Sequence, residues 1–210
     1  RTAPLGSLEI RGTPYSVRVL LVGHNTPQPD GTTRADGTVT LVSGGPVTAL
    51  VDTGGPWDRP LLPRLLGAHG VTPGDITHVI VTHGHSDHVG NINLFPAATL
   101  LVGFDLSRGG GQFLPHGLAR GVPLELHPPL LEVLPTPGHT RAHVSLVVRG
   151  TELGTVVVAG DTFESEGDEG QWEALSEDPP RQRSSRRELG ALADVIVPGH
   201  GPPFRVIRDA

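Results

Sequence analysis

An α/β fold is predicted for this chain by three observations. Apolar runs of strand length alternate with stretches of helical spacing, and turns rich in glycine and aspartate follow several of the runs. The third is size: 210 residues can bury a substantial core. Twenty-nine glycines and 21 prolines shift the chain toward loops and short strands. No linker or low-complexity tract divides it, so a single domain over residues 1–210 is expected.

The elements follow in order. Residues 15–22 are rich in Val and Leu, and 38–42 repeat the pattern after a turn-rich stretch at 27–37, which predicts a β-hairpin with a long loop. Residues 47–51 read as a buried strand ending at Asp52-Thr53-Gly54-Gly55. A helix is expected over 59–69, where Leu61, Leu62, Leu65 and Leu66 share one face. Another strand, 79–81, runs straight into Thr82-His83-Gly84-His85-Ser86-Asp87-His88, and 89–94 then read as helix-like. Strands are expected at 99–102, 122–126, 131–134, 144–148 and 155–159, and a helix closing over 188–193 precedes a last strand at 195–197. Residues 43–46 and 109–111 are expected to be flexible loops. The strand ends at Asp52 and Asp161 echo one another and hint at two similar halves.

Composition removes whole classes of chemistry. Without cysteine there is no disulfide framework, thiolate zinc site or cysteine nucleophile. All 16 basic residues are arginine, which excludes a Schiff-base lysine and a P-loop lysine. Twenty-two acidic residues set the net charge at −6, against a protein that holds nucleic acid by general electrostatic attraction. No run reaches the roughly eighteen apolar residues of a membrane span, and no membrane partner is expected. The count that stands out is 11 histidines.

His83, His85, Asp87 and His88 place four potential metal ligands, of imidazole and carboxylate type, in six residues on a strand-to-helix turn. In an extended segment His83 and His85 point the same way, while Asp87 and His88 turn the corner, so the cluster can serve two ions. Helix zinc motifs instead space histidines four apart. Further ligands must come from distant strand ends. Pro137-Gly138-His139, Ala159-Gly160-Asp161 and Pro198-Gly199-His200 each follow an apolar run, and each glycine lets the chain turn sharply toward a cleft above the sheet.

These motifs, in this order, identify the chain as resembling the metallo-β-lactamase superfamily, within it the binuclear hydroxyacylglutathione hydrolase type, with Asp161 where true β-lactamases often carry cysteine. The resemblance implies a four-layer αβ/βα sandwich of two mixed sheets flanked by helices. It places His83, His85 and His139 on one ion and Asp87, His88 and His200 on the other, with Asp161 bridging. Two such cations acidify the water between them and polarise an acyl or phosphoryl oxygen, so hydrolysis needs no protein nucleophile. Asp87, the catalytic candidate, both binds the second ion and orients that attacking hydroxide. Asp52 is either a partner fixing a ligand histidine or a carboxylate at a helix N-terminus. Zinc suits imidazole, and iron or manganese would also be held, so the two divalent ions stay unidentified.

Residues 52–57, 113–118, 174–179 and 198–206 carry a closer resemblance to one animal branch of the superfamily. It implies an endoribonuclease that cuts histone pre-messenger RNA at its 3′ end, a homodimer found in cytoplasm and nucleus, with single-stranded RNA as partner. That branch is expected to carry a long polar insert where this chain has only Ser43-Gly44-Gly45-Pro46. The alternative is a small-molecule ester, thioester or lactone hydrolase, favoured by the acidic balance. A non-catalytic metal-dependent scaffold is a third reading, opposed by the complete ligand set.

Outside the ligands, His116 follows a glycine run that could carry it over the cleft. Residues 164–178 hold seven acids and no base, and Arg181, Arg183, Arg186 and Arg187 follow within seven positions. The pair reads first as a solvated, self-neutralising helix and loop. The four arginines are also the candidate contacts for substrate phosphates. His24, His69, His78, His127 and His143 read as surface or satisfied core residues, and Trp57 and Trp172 as core or rim packing.

Overall fold

The computed structural model describes residues 1–208. Its strands are β1 (Thr2–Pro4), β2 (Glu9–Ile10), β3 (Ser16–Leu21), β4 (His24–Pro27), β5 (Thr33–Asp36), β6 (Val39–Ser43), β7 (Ala49–Val51), β8 (His78–Val81) and β9 (Thr99–Val102). After these come β10 (Asp105–Arg108), β11 (Gln112–Phe113), β12 (Leu124–His127), β13 (Leu131–Pro135), β14 (Val144–Thr151), β15 (Gly154–Gly160), β16 (Val195–Pro198) and β17 (Phe204–Val206). The α-helices are α1 (Leu62–Gly67), α2 (Ser86–Val89) and α3 (Pro179–Leu192).

One sheet runs β1-β17-β16-β15-β14-β13-β12 and the other β11-β10-β9-β8-β7-β6-β3-β2. Each is mixed: β15 is parallel to β16, and β7, β8 and β9 are mutually parallel. The strands read as continuous apolar runs because both faces are covered. Leu146, Val148, Val156 and Val158 join Val17, Val51 and Ile80 between the sheets. Their neighbours Val147 and Val157 face the other way, onto Leu189 of α3. Leu50, Val79 and Val81 pack with Leu62 and Leu66 of α1. The period of two thus sorts each strand between two layers, giving helix, sheet, sheet, helix, the sandwich expected. No helix among the described residues is long and apolar enough to cross a membrane.

Several expectations are corrected. β3 and β6 pair as the hairpin expected, but its long loop is structured: β4 and β5 pair as a two-stranded arm around the turn at 28–32, polar and largely exposed, so no apolar alternation marked it. The helix expected after the histidine motif starts at Ser86 and carries Asp87 and His88, and only Ile92–Leu94 make a further turn, of 3-10 type. The loop expected at 109–111 is found as the turn of the β10–β11 hairpin, with Gly110 and Gly111 at positive φ. Residues 43–46 close tightly over Tyr15, whose ring a Cβ at Gly45 would strike at 2.5 Å. Strands β1, β2 and β17 are two or three residues long, too short to show a periodicity.

Candidate metal centre

The centre forms where β8, β15 and β16 end. After Val81 the chain turns as Thr82 donates its N–H and its hydroxyl to the Asp52 carboxylate, at 2.7 and 2.9 Å. His83 is buried beneath this turn, His85 is exposed at the start of α2, and His88 is buried within it. Two glycines allow the remaining approach. Gly138 has φ +145°, and a Cβ there would lie 2.3 Å from the Gln182 backbone; one at Gly199 would lie 1.8 Å from Asp161 Oδ1.

The structure brings all seven expected residues together. Atoms of His83, His85, His139 and Asp161 lie within 4.8 Å of one another, and so do those of Asp87, His88 and His200. Asp161 stands between the sets: Oδ2 is 3.3 Å from His139 Nε2, 3.6 Å from His83 Nε2 and 3.2 Å from His200 Nε2, while Oδ1 is 3.2 Å from His88 Nε2. Asp87 Oδ2, at the half-exposed rim, is 3.8 Å from His88 Nε2 and 3.9 Å from His200 Nε2. His85 faces the first set through Nδ1, 2.8 Å from His83 Nε2 and 3.3 Å from His139 Nε2. The far nitrogens are engaged elsewhere: His88 Nδ1 by Asp52 at 2.8 Å, His83 Nδ1 by the Thr82 hydroxyl at 3.0 Å, and His200 Nδ1 by the carbonyls of His24 and Asp36. The lone pairs therefore converge. His88 Nε2 and Asp161 Oδ1, both buried, make no hydrogen bond with any described group, so the donor set fits cations.

The charges agree. Burial holds His83 well below the ordinary imidazole range and His139 at about 4. Burial also opposes charge on His200, yet the hydrogen bond and charge of Asp161 outweigh it and raise this group to about 9; Asp161 and Asp52 likewise raise His88 well above its usual range. Burial pushes Asp161 up, but His88, His83 and His200 more than reverse it and hold the carboxyl well below its usual range. In the metal-free protein, protons on His88 and His200 thus balance Asp161. The His200 contribution to stability is complete below its ordinary 6.5 and is lost as pH rises toward about 9. An incoming ion must displace those protons. Binding of zinc or manganese at neutral pH is expected to release protons, and affinity to rise as pH climbs toward 9; calorimetry in buffers of different ionisation enthalpy reads this, and heats independent of buffer would contradict it.

Asp52, for which two roles were open, proves to be the partner of His88 and of Thr82 and caps no helix. Its φ is +58°, the one positive value outside glycine among the described residues. Two neighbours were not foreseen. Glu164 is buried, its Oε1 3.5 Å from His139 Nδ1 and its Oε2 3.9 Å from His200 Nε2; burial, then the charge of Asp161, raises it to about 8. The sequence shows it only as the first of an acidic run. His143, buried just before β14, stacks on His83 with ring centroids 5.1 Å apart and accepts or donates to the Thr136 hydroxyl at 3.0 Å. Burial holds it at about 3, and only its spacing of four from His139 pointed to it.

The expected substrate contacts separate. Arg183 pairs with Glu173, and Arg186 with buried Asp168, its guanidinium 4.2 Å over Phe163 and 4.9 Å over Trp172. These two arginines are committed to the protein, because helix geometry turns positions 183 and 186 onto the acidic loop. Arg181 and Arg187 instead join Arg141 in lining a cleft of about 860 Å3 that also touches Pro137 and Gly138. His116, half-buried, accepts the Leu118 N–H through Nδ1 at 3.2 Å, capping its own turn. Exposed Trp57 donates its indole N–H to Asp36 at 3.2 Å, at the rim, whereas Trp172 is packed inside.

Comparison with known proteins agrees with this geometry. Residues 32–104 match the family model described as the metallo-β-lactamase superfamily. A Xenopus laevis protein named metallo-β-lactamase domain-containing protein 1 is 56% identical over 209 residues, covering 99% of this chain and 89% of that protein. The human protein of that name is 53% identical, covering 100% of this chain and 90% of the other. Among solved structures, an N-acyl homoserine lactone hydrolase with product at its catalytic metal centre superposes with a TM-score of 0.63 at 19% identity, covering 91% of this chain and 93% of that one.

Proposed function

This chain belongs to the metallo-β-lactamase superfamily as a metal-dependent hydrolase with a histidine–aspartate site, and from that premise we propose that it cleaves phosphodiester bonds of single-stranded RNA. What carries the reading is that the loop bearing His139 forms part of an arginine-lined cleft, so an extended anion has a cationic wall beside the site.

His83, His85 and His139 would hold one ion, Asp87, His88 and His200 the second, and Asp161 both. Bound there, a pair of divalent ions supplies acidified water and draws charge from the phosphoryl oxygen. The chain does the rest. Asp52 and the carbonyls of His24 and Asp36 keep protons on the Nδ1 atoms of His88 and His200, so that Nε2 of each faces inward. Asp87 Oδ2, on a carboxylate only partly exposed at the rim, is placed to accept a hydrogen bond from the attacking water and aim it. Cysteine and lysine nucleophiles are absent, and none is required.

The test is incubation of the metal-loaded protein with labelled single-stranded RNA, beside a thioester and a lactone, with a chelated sample and His83→Ala as controls. RNA should be cut, and both controls should abolish cutting. Turnover of the thioester or lactone alone would make the chain a small-molecule hydrolase instead.

A further inference from the structure

We propose that Arg141, Arg181 and Arg187 form a phosphate-binding cleft that holds the backbone of a single-stranded RNA alongside the metal centre; this rests on the phosphodiester reading above. The cleft, about 860 Å3, lies between α3 and the residues leading into His139. Positions 181, 184, 185 and 188 repeat at helical spacing and share the lining face of α3. Among the described residues, none of the three guanidinium groups has a carboxylate within ion-pair distance, in contrast to Arg183 and Arg186 on the adjoining face. Two acids also line the cleft, Asp178 and Glu188. Asp178 already accepts the Arg181 N–H at 3.1 Å, as the cap of α3. Glu177, just outside, is similarly spent on the Arg141 N–H at 3.0 Å. Three cations therefore line the cleft with two carboxylates, Asp178 and Glu188, which leaves a net positive charge of one.

The cleft is tied to the metal site. Asp178 N–H donates to the Gly138 carbonyl at 2.9 Å, Glu177 N–H to that of His139 at 3.1 Å, and the Ser185 hydroxyl to that of Pro137 at 2.8 Å. With Gly138 packed directly on Gln182, the helix carrying the arginines and the loop carrying a metal-site histidine form one continuous wall. An anion held there is fixed relative to His139. The rest of the lining mixes Ser184 and Ser185 with Phe104, Leu134 and several prolines. Guanidinium forks match phosphate oxygens, and the ring of Phe104 in the lining offers a base a stacking surface, so the ligand class is an oligonucleotide strand rather than an isolated anion.

The experiment is fluorescence anisotropy of a labelled single-stranded RNA on the chelated full chain, where binding is read without turnover. A variant combining Arg141→Ala, Arg181→Ala and Arg187→Ala is compared with one combining Arg64→Ala, Arg108→Ala and Arg205→Ala, an equal loss of charge elsewhere on the surface. The cleft variant should bind at least about tenfold more weakly, and its salt slope should fall by about 2, from roughly 0.7 per lost phosphate contact. The control variant should lose far less. Equal losses in both variants, or no RNA binding by the unaltered chain, would overturn the cleft. Binding that depends on the three arginines without any cutting by the metal-loaded chain would uphold the cleft and sink the phosphodiesterase reading. Normal cutting by the cleft variant would do the reverse.

Discussion

Replacing Asp161 with alanine is expected to abolish hydrolysis and to reduce bound metal from two ions to at most one, the largest functional effect of any single substitution here. The reason is position. Four imidazole nitrogens, from His83, His88, His139 and His200, lie within 3.6 Å of its two oxygens. Glu164 also nears one histidine of each set, but reaches His139 only through Nδ1 and His200 only at 3.9 Å; among the described residues Asp161 alone lies within 3.6 Å of Nε2 atoms from both sets. Losing an outer partner of a metal ligand costs about 10–100-fold in affinity or activity; loss of a carboxylate shared by two cations should exceed the upper figure, because their mutual repulsion is left uncompensated. Metal analysis of the purified variant together with turnover checks it. Two ions retained with activity within about tenfold of the parent would show that Asp161 is not the shared ligand. The metal-free variant gives a second readout: without Asp161 the raised His200 should fall toward the ordinary imidazole range, reducing the proton release expected on metal binding near neutral pH to what His88, still paired with Asp52, supplies.

The ligands were legible in the sequence for a local reason and the rest of the site was not. His83, His85, Asp87 and His88 sit within one turn, so their spacing alone gathers them. His139, Asp161 and His200 were legible as residues that follow a glycine at the end of an apolar run, a pattern that aims a side chain over the sheet edge whatever the tertiary fold. Glu164 and His143 have no such signature. Glu164 reaches His139 because the loop after β15 folds back, with its N–H donating to Asp168 at 2.8 Å while Arg186 clamps that same Asp168. That closure is tertiary and leaves only an acidic run in the sequence. The arginines divide for a related reason: a run of four in seven positions looks like one patch, but helix geometry sends 183 and 186 toward the acids, as the self-neutralising reading has it, and 181 and 187 toward the cleft. The strands were legible where both faces are buried, and illegible in the β4–β5 arm, whose exposed residues satisfy backbone hydrogen bonds without burying a side. Yet the arm supplies both carbonyls that orient His200.

The largest effect on stability is expected from Asp52→Ala. This carboxylate is 2% exposed and accepts three hydrogen bonds, from the Thr82 N–H, the Thr82 hydroxyl and His88 Nδ1. Alanine would leave all three donors buried without an acceptor, and one of them belongs to an imidazole raised toward its charged form. Removing one partner of a buried, hydrogen-bonded charge pair costs about 3–5 kcal/mol, a large share of the roughly 5–15 kcal/mol that holds a domain together. The backbone adds to this, since φ at Asp52 is +58°, where aspartate is tolerated better than alanine. Asp52→Asn separates the two contributions. An amide keeps the shape and one acceptor oxygen but cannot serve Thr82 and His88 together, so urea unfolding should place it between the parent and Asp52→Ala. In metal affinity the two variants should differ less, because either change frees the His88 ring to adopt the wrong tautomer. An Asp52→Ala protein destabilised by less than about 1 kcal/mol, the value of an ordinary single hydrogen bond, would mean that water replaces the carboxylate and that Asp52 does not hold the histidine turn in place.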